Sequence, residues 1–184
     1  MRKSFMILAF ALLSATTTFA QNKVKTVQVG GAAMYPNKNI IENAMNSKDH
    51  TTLVAAVKAA ELVETLQGVG PFTVFAPTNA AFDKLPKGTV ETLLKPENKS
   101  LLTTVLTYHV IAGKYNAVDI AAAIKKGNGT ATFTTVQGGS LKAMMMGKKL
   151  VLMDEKGGKS TVTIADVNQS NGVIHVVDTV VMPK

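Results

Sequence analysis

The spacing of apolar residues changes character along the chain. Between residues 39 and 126 it is mostly helical, and from residue 130 onward it alternates. Residues 39–47 predict a short helix. Asp49 is placed to cap a second, in which Leu53, Val57 and Ala60 share a face. Residues 61–67 add a further helical turn that Gly68 closes. Phe-Thr-Val-Phe at 72–75 reads instead as a strand through Ala76, because Pro77 forces the residue before it to be extended. Thr78 can then cap a short helix carrying Phe82 and Leu85, which stops before Pro86. Residues 90–94 and 101–107 predict two more helices, followed by an extended stretch at 108–111. The segment 116–126 is the best punctuated of all. Asn116 stands at its start, Asp119 in its first turn, Lys125 and Lys126 in its last, and Gly127 just beyond.

Alternating runs at 131–136, 140–146, 149–154 and 160–165 are separated by Gly138-Gly139, Gly147-Lys148 and Gly157-Gly158, the spacing of antiparallel hairpins. The last run, 173–182, is almost continuously apolar and predicts a strand buried on both faces. Helices precede strands without βαβ alternation, which implies an α+β fold around a twisted antiparallel sheet. A length of 184 residues suits one domain, placed at 39–184. Residues 21–38, with Gly30-Gly31 and Pro36 and little periodicity, read as a linker or a loosely docked N-terminal arm.

The first twenty residues form a separate unit. Arg2 and Lys3 precede an apolar run from 5 to 13, and Thr18-Phe19-Ala20 follows, the layout of a secretory signal peptide with cleavage after Ala20. The run is too short to span a bilayer, which takes roughly 20 apolar residues. The expected destination is outside the cytoplasm: periplasm, cell surface or medium. Loss of Arg2 and Lys3 lowers the formal charge from +8 to +6 and leaves lysine as the only strong cation. Without arginine's planar fork, and with lysines interspersed among acids, nucleic acid is not an expected partner.

Candidate chemistry is sparse. The absence of cysteine removes thiolate nucleophiles and cysteine metal sites. Gly158-Lys159-Ser160 lacks the earlier glycine of a phosphate loop and sits between two predicted strands, so a hairpin turn is the better account. His50, His109 and His175 have no metal-ligand spacing, and no metal or cofactor is expected. His50, in a first helical turn, is expected to be exposed. His175 is expected to be a hydrogen-bonded core residue, with Asp178 on the opposite face of an extended strand. Met144, Met145, Met146 and Met153 could be a soft copper(I) ligand set, but gap-filling packing beside a hairpin is the simpler reading.

Three stretches together resemble the fasciclin-like domain family. Thr73-Val74-Phe75-Ala76-Pro77-Thr78-Asn79-Ala80-Ala81-Phe82 resembles the family's first signature and Tyr108-His109 its central tyrosine–histidine pair. Asn171-Gly172-Val173-Ile174-His175-Val176-Val177-Asp178 resembles its second signature. The resemblance implies an α+β wedge with helices packed on a twisted β-sandwich, in secreted or surface-attached proteins that serve adhesion without known catalysis. Phe75, Phe82, Val173, Ile174 and Val176 would be core, while Thr78 and Asn79 would tie down a helix start. In animal members an Asp-Ile pair and the tyrosine–histidine pair are implicated in integrin binding. The matching positions here, Asp166-Val167 and Tyr108-His109, are the candidate partner contacts. Valine replaces isoleucine, and Asn168 stands where a large apolar residue would follow. Asp166 could equally serve the backbone before the turn at Asn171-Gly172.

The expected function is a secreted adhesion or matrix interaction module, without catalytic activity, whose partner is a protein or glycan at a cell surface. The alternative is an envelope protein binding a small molecule or polysaccharide in a crevice between helices and sheet.

Overall fold

A computed structural model describes residues 25–184. The expected signal peptide and its cleavage after Ala20 lie outside the described residues. Helices α1 (Ile40–Ala44), α2 (Thr51–Ala59), α3 (Val63–Gln67), α4 (Asn79–Phe82), α5 (Thr89–Leu93), α6 (Lys99–Tyr108) and α7 (Ala117–Lys126) surround the sheets. Strands β1 (Val27–Val29) and β2 (Ala32–Met34) form a hairpin. Strands β3 (Phe72–Pro77), β4 (Val110–Ala112), β5 (Thr130–Thr134), β6 (Ser140–Met146), β7 (Lys149–Met153), β8 (Lys159–Gln169) and β9 (Gly172–Val177) form one sheet in the order β4-β3-β9-β8-β7-β6-β5. Every junction in that sheet is antiparallel except β3–β9, which is parallel. The sheet curls until its ends nearly meet: Ile111 bridges to Thr135, and the Val136 amide donates to the Val110 carbonyl.

The local signals act through specific bonds. Asn39 and Glu42 form a reciprocal capping box at α1. At α7 the Asn116 amide donates to Asp119 Oδ2, and Lys125 and Lys126 complement the far end of the helix. Thr78 Oγ1 accepts from the Ala81 amide to start α4. Asn79 acts elsewhere. Its Oδ1 accepts from the Thr52 amide, its Nδ2 donates to the Lys48 carbonyl, and so it anchors the start of α2. Asp49, expected to cap α2, lies inside a 3-10 turn (Lys48–His50) that leads into it.

Burial separates two cores. One lies between α1–α6 and the sheet and contains Ile41, Leu53, Val57, Leu106, Ile174 and Val176. The other fills the curl of the sheet beneath α7, with Phe75, Tyr108, Ile120, Leu141, Leu152 and Val177.

Other expectations change as well. The supposed linker or arm at 21–38 contains the β1–β2 hairpin, whose Val29 and Met34 are buried in the first core. His50 is 2% exposed, because the 3-10 turn aims it inward, where Nδ1 meets Ser47 Oγ at 2.8 Å. The final strand stops at Val177, and buried Val180 and Val181 continue as irregular chain. Met145 and Met146 do not fill a core gap; they are 43% and 51% exposed, because they sit where the β6–β7 hairpin extends past the second core.

Gly172 is fixed by close approach. A Cβ there would lie 2.1 Å from the Phe72 carbonyl oxygen, in the backbone of the parallel partner strand. Gly172→Ala is therefore expected to destabilise the fold by about 2–3 kcal/mol, and Asn79→Ala by about 1 kcal/mol, read from the urea midpoints.

Candidate functional site

Strand β8 is irregular where it passes the start of α7. Its register against β9 shifts between Val162 and Ile164 and again before Val167, and within the second bulge Asp166 has φ +59°. Aspartate tolerates this left-handed backbone better than most residues. There Asp166 Oδ1 accepts from the Ala117 amide at 2.6 Å, in the first turn of α7. The Asp166 amide donates to His175 Nδ1 at 3.3 Å, and His175 Nε2 donates to the Tyr115 carbonyl at 2.8 Å. Because a carbonyl only accepts, the proton is on Nε2 and Nδ1 is bare; the neutral ring is satisfied at both ends. Phe75 stacks on it with centroids 5.6 Å apart. Burial holds the His175 pKa below the usual histidine range.

Asp166, partly exposed, edges a groove between the β1–β2 hairpin, the α7 start and β8. Lys25, Asn116, Asp119 and Asn168 supply its polar lining, and Val27, Met34 and Val118 its apolar lining. Sequence reasoning singled out Asp166 and the cap pair Asn116 and Asp119, but missed Lys25, Val27, Met34 and Val118. Three of these four, Lys25, Val27 and Met34, lie on or just before the β1–β2 hairpin, within the stretch 21–38 that reads in sequence as a linker or a loosely docked arm.

The other contact candidates lie inside. Tyr108 is wholly buried; its hydroxyl donates to the Ser140 carbonyl at 2.6 Å and accepts from the Glu155 amide, and burial pushes its pKa up to about 12. His109 uses the opposite tautomer to His175. Its Nδ1 donates to the Val105 carbonyl at 2.8 Å, and its Nε2 accepts from the Val181 amide at 3.2 Å. Val167 is also buried, opposite Ile174. Tyr108, His109 and Val167 therefore cannot touch a partner in this conformation, and of the four only Asp166 reaches a groove.

The remaining motif residues build the frame. Thr73 Oγ1 donates to the Gly113 carbonyl and accepts from the Tyr115 amide. Pro77 ends β3 opposite Val177, and Phe82 is buried in the first core. Asn171 ties three elements together: Oδ1 accepts from the Ile40 amide, and Nδ2 donates to the carbonyls of Leu66 and Gly68. Asp178 Oδ1 accepts from the Thr161 amide beyond the end of β9. The crevice between helices and sheet is an apolar cavity of about 40 Å³, lined by residues such as Ile41, Val57, Leu66 and Val74. That is room for a water or two and too little for a sugar or an acyl chain.

The fasciclin domain model matches residues 48–183. The chain belongs to the fasciclin domain family. Among its relatives in this family, protein sll1483 of Synechocystis sp. is 45% identical over 177 residues, covering 95% of this chain and 91% of that protein. Immunogenic protein MPB70 of Mycobacterium bovis is 35% identical over 169 residues, covering 89% and 77%. The cell surface glycolipoprotein MPB83 of the same species is 37% identical, covering 89% and 68%. A FAS1 domain pair from the insect cell adhesion molecule Fasciclin I has the same fold, with a TM-score of 0.70 at 16% identity. That alignment covers 84% of this chain and 56% of the insect structure, so the chain spans about half of the pair.

In this fasciclin domain the neutral histidines make stability depend on pH. Burial outweighs the bond to the Val105 carbonyl and the attraction of Asp154 and lowers the His109 pKa to about 4, whereas an unfolded histidine titrates near 6.5. The unfolded chain thus binds the proton first. Stability is full above about pH 6.5 and falls as pH drops toward 4, with His109 alone removing about 3 kcal/mol. His50 and His175 act in the same direction. Urea unfolding at stepped pH should show this slope, and His109→Gln should flatten it.

Proposed function

We propose that this fasciclin domain is an exported adhesion or surface-interaction module that turns over no substrate, and that the groove edged by Asp166 is its contact site. The observation that carries this reading is Asp166 itself. It is a partly exposed carboxylate fixed at φ +59° by its bond to the Ala117 amide, beside apolar Val118 and polar Asn168. A prearranged charge beside apolar surface suits a protein loop or a glycan edge, because little ordering entropy is lost on contact. The cell-surface relative and the insect adhesion molecule support the same reading.

Catalysis finds little to work with in the groove. The three histidines are buried in the frame, and Asp119 and Asp166 each accept from a backbone amide. The apolar run at the N-terminus supports export, and among the described residues no helix is long and apolar enough to cross a membrane. The module would act in the periplasm, at the cell surface or in the surrounding matrix.

Asp166→Asn separates contact from folding. Asparagine also tolerates the left-handed backbone and can still accept from Ala117, so the melting temperature should barely move. Saturable binding of residues 21–184 to cells, matrix proteins or a glycan array at physiological salt should fall at least tenfold. Unchanged binding would remove Asp166 from the site, and no saturable binding by the parent chain would remove the adhesion role.

A further inference from the structure

One face of the β5–β8 ribbon lies outside both cores. Its register sets Lys142, Met153 and Lys159 in one row, Met144 opposite Val151 in the next, and Met146 opposite Lys149 beyond. Four of the nine methionines in the chain fall between positions 144 and 153, and at the hairpin end two are large apolar residues open to solvent, Met146 on this face and Met145, opposite Leu150, on the other. Lys142, Lys148, Lys149 and Lys159 are all exposed, and among the described residues none is in ion-pair contact with a carboxylate. Strands β5, β6 and β7 contain no acidic residue. The two nearest in sequence, Asp154 and Glu155, are occupied: Asp154 accepts from the Gly158 and Met182 amides, and Glu155 from those of Ser140 and Lys184. The face thus carries four exposed lysines without an ion-pair partner, with Asp154 and Glu155 held at its Lys142 end, and it runs out into a thioether tip at the other.

We propose that this face docks on an anionic lipid bilayer. The β6–β7 tip enters the headgroup region through Met145 and Met146, and the four lysines lie over the lipid phosphates. Interfacial binding of this kind combines buried apolar area with attraction to anionic lipid, and lysine stems reach past apolar side chains to keep their charge at the surface. A polyanionic glycan would be met by the lysines alone and leaves the exposed methionines without a role. A soft metal ion is disfavoured by the lysines that stand opposite Met146 and Met153. The face shares no residue with the Asp166 groove, so it goes beyond the adhesion role and stands independently of it.

The test uses residues 21–184, which include every described element of the fold and leave out the apolar N-terminal run. The chain has no tryptophan, so Met146→Trp provides a single reporter at the tip, and Val69→Trp, in the exposed α3–β3 loop, provides its control. With phosphatidylcholine vesicles containing phosphatidylglycerol, the tip reporter should shift to the blue and the control should not; pure phosphatidylcholine should shift neither. Co-sedimentation should weaken about fivefold for each of Lys142→Gln and Lys149→Gln. It should also weaken severalfold for the pair Met145→Ser and Met146→Ser, which lie outside the core. Absence of co-sedimentation of the parent chain at low salt overturns the proposal. So does binding that ignores the methionine pair and is matched by a soluble polyanion such as heparin, since that describes a charged patch and not a lipid surface.

Discussion

The parallel pairing of β3 with β9 is the constraint on which the rest of the domain hangs. The two strands lie about a hundred residues apart in the chain, yet Phe72 to Pro77 align one for one with Gly172 to Val177. Both strands are buried almost throughout, and the second has no exposed position at all. Their contact is tight enough at its origin that Gly172 admits no side chain against Phe72. Pairing at such separation closes a long loop before any stabilisation returns, so it forms only together with the elements between. The two segments most characteristic of the family are these two strands and their flanks.

Side chains take over wherever the backbone leaves regular structure beside that pair. His175 spans the bulge on β8 to the segment entering α7, His109 joins α6 to the irregular C-terminal segment, and Asn171 gathers the start of α1 and the end of α3. Each of these three side chains has partners on separate elements, so loss of one leaves several orphaned donors and acceptors. Of the four positions that read as partner contacts in sequence, Tyr108, His109 and Val167 are internal scaffolding, and Asp166 is the one that reaches the groove.

Strong local signals were legible in the sequence. The α7 caps, the glycine turns that set the β5–β8 hairpins and the proline that ends β3 act within a few residues of the element they define. What depended on distant partners was not legible. Asn79 follows its own cap residue but serves α2. Three-residue strands around Gly30-Gly31 carry too little periodicity to announce a hairpin, and their burial depends on a core assembled from elsewhere. The parallel arrangement of β3 and β9 leaves no trace in either strand, because continuous burial looks alike in both orientations. For the same reason the groove beside Asp166 could be half inferred: its carboxylate and the α7 cap lie in recognisable motifs, but its third wall does not.

The near-closure of the large sheet bears on how the domain can meet other molecules. Its two terminal strands are joined at one end by the Ile111–Thr135 bridge, and α7 packs along β5. A sheet whose rims are joined or shielded in this way offers no row of free amides and carbonyls to an incoming chain. Association by strand addition, the commonest route by which exposed β-structure recruits peptides or polymerises, is thereby suppressed in this sheet. Crowded at a surface, many copies could lie side by side without zipping together, and recognition is left to side chains.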